Sequence, residues 1–192
     1  ISAVNLTSLN ATNLGSGTVP TARLGTGTAS GSTILYGDNT WAAAAGGGKI
    51  LQVKVASNAS GYSGTSSSWT DATDFNVTIT PASSSNHILI GINAGKLSFG
   101  SYYGFFSAKR DISGGVATDN FVGDSYGFYW GEGPHPSGYI PAFGFAVDAP
   151  STTSAITYTA QFRNQNNSST VSFGSTSSQN CIFAIEVDGS TA

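Results

Sequence analysis

Phe75, Val77 and Ile79 alternate with Asn76, Thr78 and Thr80, the period-2 signature of a half-buried strand, and Pro81 ends it. Residues 49–55 alternate after their first positions and predict a second strand of this kind. Residues 87–92 (HILIGI) form a short continuous apolar run, expected at the centre of a sheet. Further strands are expected at 103–109, 126–130, 139–147, 156–162, 170–173 and 181–187. Turn clusters such as Ser113-Gly114-Gly115 and Asn164-Gln165-Asn166-Asn167 separate them, and the polar stretch 57–70 predicts a loop. Short strands at this spacing, with no helical pattern between them, predict a β-sandwich of jelly-roll type over 49–192; a barrel is the alternative.

Residues 1–48 follow a different pattern. Asn13-Leu14-Gly15-Ser16-Gly17-Thr18 returns ten residues later as Arg23-Leu24-Gly25-Thr26-Gly27-Thr28. Leu9, Leu14, Val19 and Leu24 fall five apart, and Asn5-Leu6-Thr7 and Asn10-Ala11-Thr12 are looser copies. One chain cannot bury one apolar residue in five, whereas several chains wound about an axis can. Leu6, Leu9, Leu14, Val19 and Leu24 are therefore the expected core of an extended, intertwined shaft. A flexible Gly/Ser/Thr linker is the competing reading. Residues 42–48 (AAAAGGG) read as a hinge.

Composition sharpens the picture. Glycine, serine and threonine account for 75 of 192 residues, too many poor helix formers for a helical bundle. The 22 aromatics supply enough apolar area to exclude disorder over most of the chain. A net charge of −3 and seven scattered basic residues argue against a nucleic-acid partner. No apolar run is long enough for a membrane helix, so membrane insertion is not expected. The chain starts at Ile1 and contains no Met, which reads as a piece with a further N-terminal part.

Strong motifs for catalysis are missing from the sequence: there is no HExxH, P-loop or paired cysteines. Cys181, in an apolar run, is expected as a buried small hydrophobe. Glu132 and Glu186 are the only glutamates and nothing links them as a glycosidase pair. Asp111, Asp119 and Asp124 lie close in sequence, but such spacing is commonplace and no metal or cofactor is expected. The expectation is a protein that is not an enzyme. The most unusual stretch is 126–139, where aromatics with polar edges surround a Gly-Pro loop. Tyr126, Tyr129, Trp130, His135 and Tyr139, with Trp69 at the end of a serine-rich loop, are candidates for stacking on a receptor, above all on sugar rings.

The repeat Leu14-Gly15-Ser16-Gly17-Thr18-Val19-Pro20-Thr21-Ala22-Arg23-Leu24-Gly25-Thr26-Gly27-Thr28 resembles repeats of tailed-bacteriophage fibre proteins. Its continuation Leu35-Tyr36-Gly37-Asp38-Asn39-Thr40-Trp41 looks like the segment that often closes them. Ile50-Leu51-Gln52-Val53 and the stretch from Val77 to Ile90 are similar to C-terminal domains of such fibres. Those more often read Ser-Lys-Ile-Leu where this chain has Asn86-His87-Ile88-Leu89. The resemblance implies a homotrimeric fibre on a virion, joined to other virion proteins through the part preceding Ile1. Its C-terminal sandwich is then expected to attach to a host-surface glycan or protein. A structural virion component without a receptor, such as a head fibre, capsid decoration or assembly cap, is the alternative.

Overall fold

The computed structural model describes residues 19–43, 50–100, 103–122, 124–131, 140–167, 169–174, 176 and 180–189. The described residues are all-β, with a 3-10 turn at Thr21–Arg23 and no α-helix among them. The chain divides into two compact units, Ile1–Gly47 and Gly48–Ala192.

In the first unit, β1 (Thr26–Gly27), β2 (Thr33–Leu35) and β3 (Thr40–Ala43) form a small sheet in the order β1-β3-β2. β1 runs parallel to β3, and β2 antiparallel to it. The glycines of the repeat permit the close approach of β1. A Cβ on Gly25 would overlap the Asn39 carbonyl, and one on Gly27, at φ +91°, would come within 2.6 Å of the Trp41 carbonyl oxygen. None of residues 19–43 is buried within the single chain. Val19 and Leu24, expected in a shaft core, are 46% and 40% exposed there. Leu6, Leu9 and Leu14 lie outside the described residues.

The second unit is a jelly-roll β-sandwich. One sheet has the order β11-β7-β14-β4, built from β4 (Ile50–Asn58), β7 (His87–Asn93), β11 (Phe143–Asp148) and β14 (Asn180–Val187). The facing sheet has the order β10-β9-β12-β6, built from β6 (Thr70–Ile79), β9 (Gly104–Ile112), β10 (Tyr129–Gly131) and β12 (Ile156–Asn164). All ladders in these two sheets are antiparallel. The inward positions meet in one core, which includes Phe75, Val77 and Ile79 of β6, Ile88, Ile90 and Ile92 of β7, Tyr158 and Phe162 of β12, and Ile182 of β14. The apolar run 87–92 is central, as expected of a strand flanked on both sides.

A third sheet, β5-β13-β8, uses strands that the sequence pattern handles unevenly. β13 (Val171–Gly174) is expected, β5 (Gly61–Gly64) falls inside the stretch read as a loop, and β8 (Leu97–Phe99) is not anticipated. These strands lie in the connections β4–β6, β7–β9 and β12–β14. The register places those connections, and the β10–β11 connection, at one end of the sandwich. Strand lengths also differ from the pattern: β10 covers only Tyr129–Gly131 and β11 begins at Phe143.

Two further expectations are corrected. On β4 the apolar residues Ile50, Val53 and Val55 face away from the core, while Gln52 stands at the register of buried Glu186. Cys181 is not buried. It is partly exposed on the same outward face, because alternation on β14 sends Ile182 and Ala184 inward.

Candidate recognition site

At the end carrying the third sheet, β9 and β12 pair with Arg163 beside Phe105. Period-2 alternation puts both on the outward side, where most neighbours are polar: Ser107, Lys109, Thr157, Thr159 and Gln161. The Arg163 guanidinium lies between two rings, 4.4 Å from the centroid of Phe105 and 5.0 Å from that of Trp69. Its Nη1 donates to the Ser67 carbonyl at 3.3 Å and its Nη2 to the Ser125 carbonyl at 2.6 Å. One cation thus ties the β5–β6 connection to the β9–β10 connection. Burial lowers the Arg163 pKa, since it disfavours the charged form. The Nε of Arg163 is buried without a hydrogen-bond partner.

Around this pillar the aromatics gather. Tyr103 stacks on Phe105 at 6.2 Å between centroids and Tyr126 tilts against it at 5.7 Å. Tyr126 remains 51% exposed. Gly127, at φ +71°, lets Trp69 approach: an added Cβ there would sit 3.0 Å from Cη2 of the indole and closer still to the Phe106 carbonyl.

The β9–β10 connection that delivers Tyr126 is pinned to the sheet by partly buried polar contacts. The Nε2 of Gln161 donates to Asp71 Oδ1 and to Asp119 Oδ1, both at 2.7 Å, and its Oε1 accepts from the Asn120 N–H at 3.0 Å. Lys109 Nζ holds the other oxygen of Asp71 at 2.6 Å. The hydrogen bond to Asp71 is the largest cause of a raised Lys109 pKa. Asp124 Oδ1 in turn accepts from the Tyr126 N–H at 2.7 Å. A register shift between Thr159 and Gln161 sets Asp71 opposite Gln161.

Of the sequence-derived candidates, Trp69 and Tyr126 come together around Arg163. Tyr129 and Trp130 lie on β10, Trp130 in register with Phe105. His135 and Tyr139 fall outside the described residues. Tyr103, Phe105 and Arg163 are brought to the site by the fold and were not singled out from sequence. Arg163 is one of only seven Lys and Arg residues, and its place on the polar side of an alternating strand is the signal the sequence offers.

The arrangement offers flat rings with polar edges, which suits stacking on sugar rings. Cys181 and His87 lie at opposite ends of their sheet, about 20 Å apart at roughly 3.4 Å per residue. Glu186 is buried and accepts from Ala82 N–H, Asn86 and Gln52. The chain matches no protein-family model and no curated protein.

Proposed function

We propose that this chain is the distal part of a homotrimeric virion fibre of tailed-bacteriophage type. In this reading its jelly-roll unit attaches the particle to a host-surface glycan by binding rather than catalysis. The observation that carries the reading is the sheet of residues 19–43, which has no buried residue in the single chain. Strands of two to four residues do not stand alone in water without an apolar face covered by something else. The same segment bears the Leu-Gly-x-Gly repeat that resembles phage fibres, where further copies supply that cover.

The cluster of Trp69, Tyr103, Tyr126 and Arg163 supports a sugar-binding end. Three such sites on one rigid assembly gain avidity through effective concentration, so each can be weak. Contacts through rings and hydroxyls also vary little with salt. The fibre's other partners are virion proteins.

Light-scattering mass of the full chain, followed by binding to host cells and to their purified surface polysaccharide, tests this. Three chain masses and saturable binding, weakened at least tenfold by Tyr126→Ala, are the expected results. A monomer overturns the fibre. Three chain masses with no binding to cells or polysaccharide favours a structural virion component instead.

A further inference from the structure

The two outward faces of the sandwich differ in kind. On β9, β12 and β6 the outward residues are mostly polar, and Gln161 with Lys109 and Asp71 lies among them. On β11-β7-β14-β4 they form apolar rows. Phe145, Gly91, Phe183 and Val55 are in one register, and Val147, Leu89, Ile185 and Val53 are in the next. Phe145 is 51%, Val55 65% and Val147 67% exposed. Ile50, Val53 and Phe143 on the same face are exposed as well. Elsewhere in this unit the exposed large apolar residues among those described are Val116 and Tyr126.

The face is ordered rather than loose. Phe143 meets Phe145 edge-on at 4.4 Å, Phe145 meets Phe183 at 5.9 Å, and the Phe183 ring lies over Gly91. No charged side chain stands in these rows. Lys54, on edge strand β4, is at the register of inward-facing Ala184. Asn93 and Ser57 border the apolar rows at one end and His87 at the other.

We infer that this face is where copies of the chain pack against one another, so that the sandwich is itself an assembly surface. The partner's identity rests on the fibre reading above; the need for a partner rests on the face alone. Its dimensions fit. Four strands about 4.8 Å apart and roughly seven residues long cover on the order of 450 Å² in projection. Side-chain relief raises the accessible area towards the roughly 800 Å² that each partner of an ordinary stable interface contributes. Apolar centres with charge excluded and polar borders are the make-up of permanent interfaces between identical chains. Residues 19–43, unburied in the single chain, make the same demand for further copies from the other unit.

The test uses the full chain and a double variant, Val53→Lys with Val147→Lys, at the two ends of one register row. Cys181 is the only thiol and lies on this face, two rows away from both substitutions, about 13 Å along the strands. Two quantities are read: light-scattering mass, and the rate at which Cys181 reacts with a small aromatic disulfide. Far-UV circular dichroism checks that the variant keeps its strands.

The expected result is a multi-chain wild type whose Cys181 reacts at least tenfold more slowly than in the variant, whether or not residues 1–48 still hold the variant chains together. A multi-chain wild type with equal thiol rates in both proteins overturns the inference and leaves the fibre reading standing, with copies meeting elsewhere. A monomeric wild type overturns both. If the double variant loses its strands, Val147→Thr replaces it, with a smaller rise in thiol rate expected and an unchanged rate counting against the inference.

Discussion

The Phe183 ring occupies the space that a side chain on Gly91 would fill, so the two residues are sterically exclusive across β7 and β14. Gly91→Ala is expected to displace the ring and cost about 1–3 kcal/mol. At roughly 2–4 °C per kcal/mol for a unit of this size, that is a shift readily seen in a thermal melt. In a Phe183→Ala background the same change at Gly91 should cost less than half as much. Equal costs in both backgrounds would show that the contact does not limit position 91.

Acid should unfold the sandwich partly through Glu186. Burial alone raises its pKa, but hydrogen bonds from Asn86, Gln52 and the backbone of Ala82 and Ser83 outweigh that and hold it below the ordinary 4.5. A carboxylate depressed in the folded state adds stability above the unfolded pKa and loses it as pH falls through the folded one. Urea midpoints for wild type are therefore expected to drop from pH 5 to pH 3. Glu186→Gln, less stable at pH 7, should drop less over that interval. Parallel pH profiles would remove Glu186 as a cause.

Gln161 governs the connection that carries Tyr126. Gln161→Ala strands the Asn120 N–H and frees Asp119, for an expected loss of about 1–3 kcal/mol. The characteristic sign is local. Hydrogen exchange should rise across 113–125 well before it rises in β7 or β14. A uniform rise over the whole sandwich would mean that Gln161 supports the core and not that connection.

At the opposite end, Asp148 accepts from the Tyr158 hydroxyl at 2.7 Å and pairs with Arg110 at 2.7 Å. Burial, with the bond to Asp148, pushes the Tyr158 phenol well above its ordinary pKa, so it stays a donor at all ordinary pH. Tyr158→Phe leaves Asp148 its cation and should cost about 1–2 kcal/mol. Arg110→Ala leaves a nearly buried carboxylate without its cation. It should cost more, about 2–3 kcal/mol once partial exposure of the arginine is allowed for. Chemical denaturation of the two variants gives the order, and a reversed order would mean that the hydroxyl is the main support of Asp148.

Period-2 alternation makes β6 and β12 legible in the sequence, and continuous apolar runs mark β7 and β14. Alternation misleads on β4. Val53 and Val55 alternate as well as any inward pair, yet the register to β14 sends them outward. Alternation gives a strand two faces without saying which one is buried, and only pairing with a neighbour decides. Cys181 is misread for the same reason. The site is half legible. Trp69 and Tyr126 stand out as aromatics in polar loops, but Arg163 matters because its strand brings it between two rings distant in sequence. No local pattern encodes that. The short strands β5 and β8 lack the apolar run that marks a strand; their ladders are made by pairing with β13.

The two ends of the sandwich differ in what they tolerate over evolutionary time. Where residues 80–86 turn, the backbone N–H of Ala82 and the Asn86 side chain are both committed to Glu186, so insertions there disturb a buried acceptor. At the other end four connections leave and re-enter the sheets, three of them long enough to have grown strands of their own. Lengthening such a connection adds only a slowly growing closure entropy, about 0.6 kcal/mol per doubling. That end is therefore where relatives should diverge first, and where a foreign loop can be grafted with the jelly roll left as it is.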